Sequence, residues 1–405
     1  MKAERRRGNM KNSIMGIIYT GERDQQLREL TTVRAVAAVP LCSRYRLIDF
    51  PLSSMVDSGI RNVGVIMQRN YNSLMDHLGS GKEWDLHGKH TGLQILPPFT
   101  TSENVGLYAG FLDAIRSNLN YLRRSKEKYV VITDSHMLYT TRFDDMAAAH
   151  EANGADITLL YTTGFDDMAA AHEASGADIT LLYTRDPGVR RNGGGRYLSM
   201  DENGVVTQLE VDPASPRLDA TYMEAFMMER EKLIEMVDTA VSRGQYHLTR
   251  DVLMQAISTR SFKVVGFECT GKVWHLDSVQ AYFECNMDLL SPETRAALFP
   301  ADRPILTKLR DEMPTRYFPG ATVKNSLLAD GCVIEGTVEN CVLFRGVRIA
   351  KGAVVRNSII MQDGVVSEGA ELDNCILDKQ TLVRPNSRLI APRSYPIVIA
   401  KQMTV

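Results

Sequence analysis

The chain has 405 residues, more than one hydrophobic core usually supports, so two domains are expected. Hydrophobic residues make up 44% and charged residues 24%, an ordinary globular balance, and 47 basic against 49 acidic residues leave a formal charge of −2. No overall field therefore draws the chain to nucleic acid or to a membrane, and no run approaches the ~18 apolar residues of a membrane span. Six cysteines are spread along the chain without a CxxC pair, which points to reduced thiols and a cytoplasmic protein.

In chain order, residues 1–9 form a basic arm without the apolar stretch of a signal peptide, and Met10 is an alternative start. Residues 10–290 alternate strand-like runs ("IMGIIYTG", "NVGVIMQ", "KYVVITDS", "ADITLLYT") with segments of helical spacing. Such alternation predicts an α/β domain, Rossmann-like, with a mostly parallel sheet and its ligands at the carboxyl ends of the strands. Within it, residues 140–161 recur as residues 162–183 and differ only at Arg142/Gly164 and Asn153/Ser175. Phe143, Met146, Ala147 and His150 follow the helical i, i+3, i+4, i+7 rule, and Gly154 is placed to stop the helix. The second copy is expected either to add a strand or to loop out, and His150 and His172 read as helix-face residues.

Residues 291–314 are a proline-bearing connector, after which the period changes. Asn340, Asn357 and Asn374 recur every 17 residues, while Leu343, Ile349 and Val355, then Ile360, Val366 and Leu372, then Leu377 and Val383 recur every six. Three short strands per turn, each burying its apolar residue on the next turn, predict a parallel β-helix over 315–393 with a tail at 394–405. Its flat faces and open ends favour an oligomer.

Candidate chemistry lies at strand tips. Gly21 follows the first strand and could present backbone N–H groups to a phosphate, or simply turn the chain. "VVITDSHMLY", residues 130–139, is a buried strand running into a polar tip at Asp134 and Ser135.

"RYRLIDFPLSSMVDSGIRNVGVIMQ" (44–68), the 17-residue coils and "AYFECNMDLL" (281–290) resemble the ADP-glucose pyrophosphorylase family, the glucose-1-phosphate adenylyltransferases. The resemblance runs over about residues 12–393, omitting one repeat copy. It implies a GT-A-like nucleotidyltransferase domain followed by a left-handed β-helix, and a reaction joining ATP to glucose 1-phosphate with Mg²⁺ to give ADP-glucose and pyrophosphate. The family's GGRGTRL loop reads Gly21-Glu22-Arg23-Asp24-Gln25-Gln26-Leu27 here, so two glycines become acids and an arginine becomes Gln26. A phosphate-facing lysine falls on Val36, and the lysine of an EKP segment falls on Asp212. The first metal aspartate of a GDH-like tip falls on Ser135, leaving Asp134 one residue out of register, and the second, in a YWRDVGT-like segment, falls on His275. Asp134 and Asp277 remain as displaced ligand candidates. Gln68, Tyr108, Gly110 and Asp113, with Arg23, Arg46 and Asp49, match nucleotide- or sugar-lining positions of the family.

Five lost charge contacts at about 2–3 kcal/mol each, even halved for non-additivity, remove several orders of magnitude in rate. The family's fold with a dismantled phosphate and metal site resembles its GlgD-type regulatory branch, which the loop "GSGKEWDLHGK" (79–89) also fits. That resemblance implies a catalytic GlgC-type partner in a heterotetramer and no cofactor of its own. ATP, glucose 1-phosphate and ADP-glucose are the ligands it would meet. The rival expectations are an active nucleotidyltransferase using Asp134 and Asp277, and a sugar-nucleotide or effector sensor.

Overall fold

The computed structural model describes residues 13–21, 27–88, 91–98, 107–139, 165–189, 194–269, 272–301 and 303–405. The N-terminal arm, Arg23, Gln26 and the first repeat copy, with Phe143, Met146, Ala147, His150 and Gly154, lie outside them.

The apolar runs form a nine-stranded sheet. Its parallel core is Tyr129–Asp134, Ile14–Tyr19, Val63–Ile66 and Leu93–Leu96, in that spatial order. All six residues of Ile14–Tyr19 are buried, and their alternation splits the core: Met15, Ile17 and Tyr19 face one helical layer, Ile14 and Ile18 the other. Ala220–Glu229 adds to this core antiparallel, and Ile179–Thr184 and Arg196–Met200 pair with it.

The repeat now has a definite place. Phe165–Ser175 is a helix and Ile179–Thr184 is a sheet strand between Ala220–Glu229 and Val264–Glu268, so the second copy supplies a strand of the sheet. Met168, Ala169 and His172 are buried, as helical spacing requires, and Gly176 ends the helix at φ +60°. His172 Nδ1 lies 2.8 Å from Thr180 Oγ1, and burial lowers the imidazole pKa. Asp178 ties the unit down through Lys232 Nζ and the Lys263 amide.

The C-terminal domain is a left-handed parallel β-helix of three five-stranded faces. The residues recurring every six, from Leu343 to Val383, fill its interior at 0–1% exposure. The Asn repeat marks one corner. Asn325, Asn340, Asn357 and Asn374 have φ between +41° and +54°, a conformation Asn tolerates better than most residues. Their amides run along the helix: Asn325 donates to Asn340, Asn340 to Asn357 and Asn357 to Asp373. Residues 394–405, read from sequence as a tail, continue this domain: Ile397–Ile399 pairs with Cys375–Leu377, and Thr404 bridges Leu382.

The two domains share a core. Leu138, Trp274, Tyr282 and Phe283 pack with Val342, Phe344, Ile359 and Ile376. Through the middle runs a bidentate ion pair, Arg34 to Asp378, with both N···O distances 2.9 Å and the side chains 2% and 0% exposed. The Tyr282 hydroxyl donates to the Pro40 carbonyl at 2.7 Å, and the Cys42 amide to Asn286 at 3.2 Å. All six cysteines are buried and none forms a disulfide.

Two outcomes follow. Asp378→Ala leaves the Arg34 guanidinium buried without its carboxylate and should cost about 3–5 kcal/mol in urea unfolding, whereas the double change Arg34→Met, Asp378→Leu recovers most of it. Deleting residues 162–183 should leave the melting temperature unchanged, because residues 140–161 offer the same His, Asp and Thr to the same partners. Deleting 140–183 should lower it steeply.

Candidate functional site

A cleft of about 330 Å³ opens where Ile14–Tyr19 and Tyr129–Asp134 end, as the strand topology requires. Its walls include Tyr19, Asp134, Arg196, Asp212, Glu224 and Arg250. The two expected metal segments meet beneath it. After its tip, the strand carrying Asp134 continues as Met137–Tyr139, which pairs antiparallel with Val273–His275. The His136 and His275 ring centroids are 4.9 Å apart.

The side chains at those positions are not carboxylates. Ser135 is fully buried and its hydroxyl has no hydrogen-bond partner. His275 is buried, with Nδ1 3.7 Å from Asp277 Oδ2. Asp134, one residue off register, turns back on its own tip: Oδ1 accepts from the amides of Ser135 and His136 and lies 2.7 Å from His136 Nδ1. Asp134, His136 and Glu224 offer donor atoms within 4.8 Å of one another, and Asp277 is not a member of that group.

Glu224 is the residue that sequence reasoning missed. It interrupts the apolar run of Ala220–Glu229 where the register with Ile179–Thr184 shifts, and its φ is +54°. A left-handed conformation costs a residue with a Cβ about 1–2 kcal/mol, and here the bulge turns a carboxylate into the cleft. Arg196 Nη1 holds Glu224 Oε1 at 2.5 Å. A lone acid inside "TYMEAFMM" was the available signal.

The phosphate-facing positions are equally changed. Val36 packs in the shared core within the short turn Val36–Ala38. Asp212 puts a carboxylate on the cleft wall, where it accepts from the Gly195 amide at 3.1 Å. The matched positions gather nearby. Gln68 donates to the Tyr108 carbonyl at 3.1 Å, and a Cβ on Gly21 would lie 2.6 Å from Gln68 Oε1. Tyr108 is buried, which raises its hydroxyl pKa. Gly110 and Asp113 shape the adjoining turn: a Cβ on Gly110 would strike the Tyr246 carbonyl at 2.6 Å, and Asp113 accepts from the Ala109 amide at 2.9 Å. Asp49 is wholly buried, holding the Arg46 amide at 2.9 Å and His77 at 2.6 Å, so "RLIDF" braces the fold.

A second cleft lies between the domains, lined by Arg44, Arg46, Lys308, Arg310, Arg345 and Lys379. Two buried guanidinium nitrogens of Arg345, Nε and Nη2, have no hydrogen-bond partner. Burial and neighbouring arginines lower Lys379 to about 7, and burial lowers Arg46 to about 10. So many cations at one joint create a local positive potential that attracts anions. Of the six only Arg46 was singled out from sequence, because the joint brings together residues some 335 positions apart.

Comparison with known proteins agrees with this architecture. The nucleotidyl transferase family matches residues 15–163, and the GlmU-like C-terminal hexapeptide family residues 316–389. A glycogen biosynthesis protein GlgD of Bacillus subtilis is 32% identical over 393 residues, covering 96% of each chain. The Geobacillus stearothermophilus GlgD is 35% identical over 350 residues, 85% of this chain and 84% of its own. A glucose-1-phosphate adenylyltransferase of Acetivibrio thermocellus is 30% identical over 396 residues, 95% of this chain and 85% of its own. The chain belongs to the GlgD and glucose-1-phosphate adenylyltransferase family.

The Mg²⁺ that the family resemblance implies does not fit what stands here. Mg²⁺ demands oxygen ligands in near-octahedral array and commonly uses one or two carboxylates, whereas the two expected positions offer a neutral hydroxyl and an imidazole. No step is therefore routed through it. Among the described residues, no helix is long and apolar enough to cross a membrane.

The interdomain cleft gives a pH test. Lys379 resists its charge in the folded chain, so the fold without an anion is relieved of that penalty as pH rises from about 7 toward the lysine's ordinary 10.5. A bound anion favours the charged form. Sulfate, whose charge is constant over this range, should raise the melting temperature more at pH 6.5 than at pH 8.5, and Lys379→Met should flatten the difference.

Proposed function

We propose that this chain is a non-catalytic or weakly catalytic regulatory subunit of glucose-1-phosphate adenylyltransferase in glycogen biosynthesis, assembling with a catalytic GlgC-type subunit, as a heterotetramer, and raising its activity. The observation that carries this reading is the pair of segments meeting beneath the cleft, which present Ser135 and His275 where a metal-dependent nucleotidyl transfer needs carboxylates. Val36 and Asp212 support it, since one withdraws a cation from the phosphate path and the other reverses its sign. The names of the relatives, two of them glycogen biosynthesis proteins and one an adenylyltransferase, support the pathway and the class of partner.

Activation requires contacts that differ between the partner's two states. The β-helix faces offer such surface, and the basic interdomain cleft favours a sensing role alongside it, because an anion there touches both domains at once.

The test is ADP-glucose formation from ATP, glucose 1-phosphate and Mg²⁺ by this chain alone, by the catalytic chain alone and by the two co-expressed. The expected result is a rate for this chain alone several orders of magnitude below the partner's, a co-purifying complex, and a mixture faster than the partner by itself. Robust turnover alone that is lost in Asp134→Ala would overturn the reading in favour of an active nucleotidyltransferase.

A further inference from the structure

From the Asp134, His136 and Glu224 cluster we infer that the strand tip is a binding site for a borderline transition-metal dication of the Zn²⁺ class. This claim goes beyond the regulatory reading and does not depend on it.

The donor set is mixed nitrogen and oxygen, one atom from each of three residues, all within 4.8 Å. Imidazole with carboxylate suits Zn²⁺ and its neighbours, whereas Mg²⁺ takes oxygen alone. The spacing is a little wider than that of ligands around an ion. His136 Nε2 lies 3.9 Å from Glu224 Oε2, too long for a hydrogen bond. It is also short of the roughly 4.4 Å that one water, about 2.8 Å from each atom, would favour. Two donors each about 2.0–2.2 Å from one ion stand roughly 3.4 Å apart in a tetrahedron and at most about 4.3 Å apart in line, so an ion would draw this pair in by about half an ångström.

The surroundings are built to hold these donors. His136 is 1% exposed and neither of its ring nitrogens has a hydrogen-bond partner, an arrangement that a buried imidazole does not keep without cost. Its Nδ1 lies 2.7 Å from Asp134 Oδ1, and that oxygen is fixed by two backbone amides of the tip. The His275 ring packs against His136 and limits its rotation. Glu224 reaches the site only because its backbone is held at φ +54° in a strand bulge, and Arg196 fixes the opposite oxygen of its carboxylate. A strained backbone that delivers one functional side chain is a recurring mark of ligand sites. Asp134 and Glu224 both line the 330 Å³ cleft, so the remaining coordination positions face a space large enough for water or an anionic ligand.

The test is calorimetric titration of the chelator-stripped full chain with Zn²⁺ and separately with Mg²⁺, backed by the visible absorption of the Co²⁺-loaded chain. The expected result is one Zn²⁺ per chain, not displaced by millimolar Mg²⁺, with an affinity at least about tenfold weaker in Glu224→Gln and in His136→Ala. Circular dichroism identifies variants that fold. Glu224→Gln keeps the shape of the side chain and decides the matter if His136→Ala does not fold. Absence of stoichiometric Zn²⁺, or an unchanged affinity in a folded Glu224→Gln chain, overturns the proposal.

Discussion

The buried contact of Arg34 with Asp378 is the constraint around which the molecule is organised. A guanidinium and a carboxylate removed from water at the joint of two domains are tolerable only when each meets the other in good geometry, so the pair fixes the β-helix against the sheet domain. Everything near it inherits that placement. Lys379 follows Asp378 in the chain and is carried into the basic cleft, and Val342, Ile359 and Ile376 of the β-helix become part of the same core as Trp274 and Tyr282. The joint behaves as interior, and an anion bound at its rim acts on a rigid seam.

The same rigidity holds the transferase scaffold together independently of the charged groups in its cleft. The sheet, the shared core and the turn at Gly110 and Asp113 are maintained by apolar burial and backbone capping, none of which needs a metal or a phosphate. The apolar Val36 and the neutral Ser135 hydroxyl are accommodated by that packing without any charge partner. The strand tip offers its own donors, Glu224 and His136 among them, positioned by a bulge and by a neighbouring ring.

Much of the architecture was legible in the sequence, because periodic patterns report local geometry. Six-residue steps predicted the β-helix interior, and the 17-residue asparagine repeat marked a corner where each amide reaches the next turn. Strand tips were legible too, so that Asp134, Ser135 and His275 were placed in one region before any contact was known. Less legible was whatever depends on long-range juxtaposition. Asp277 keeps strand parity with the second expected metal position yet is not one of the three clustered donors, while Glu224 joins them through a register shift that no alternation rule foresees. The six cations of the interdomain cleft are scattered from Arg44 to Lys379, and only the docking of the domains collects them. The end of the β-helix was misjudged for a similar reason: residues 394–405 lack the hexapeptide rhythm but find a ready sheet edge to pair with.

The six buried cysteines have a chemical consequence. Thiolates are the reactive form, and burial pushes the thiols of Cys42, Cys341 and Cys375 up to about 12 and raises those of Cys285 and Cys332. An alkylating reagent therefore meets no ready nucleophile among these five until the chain around it opens. Cys42 and Cys285 sit at the joint and Cys332, Cys341 and Cys375 along the β-helix, so the order in which they become labelled is a clock for which part of the molecule breathes first.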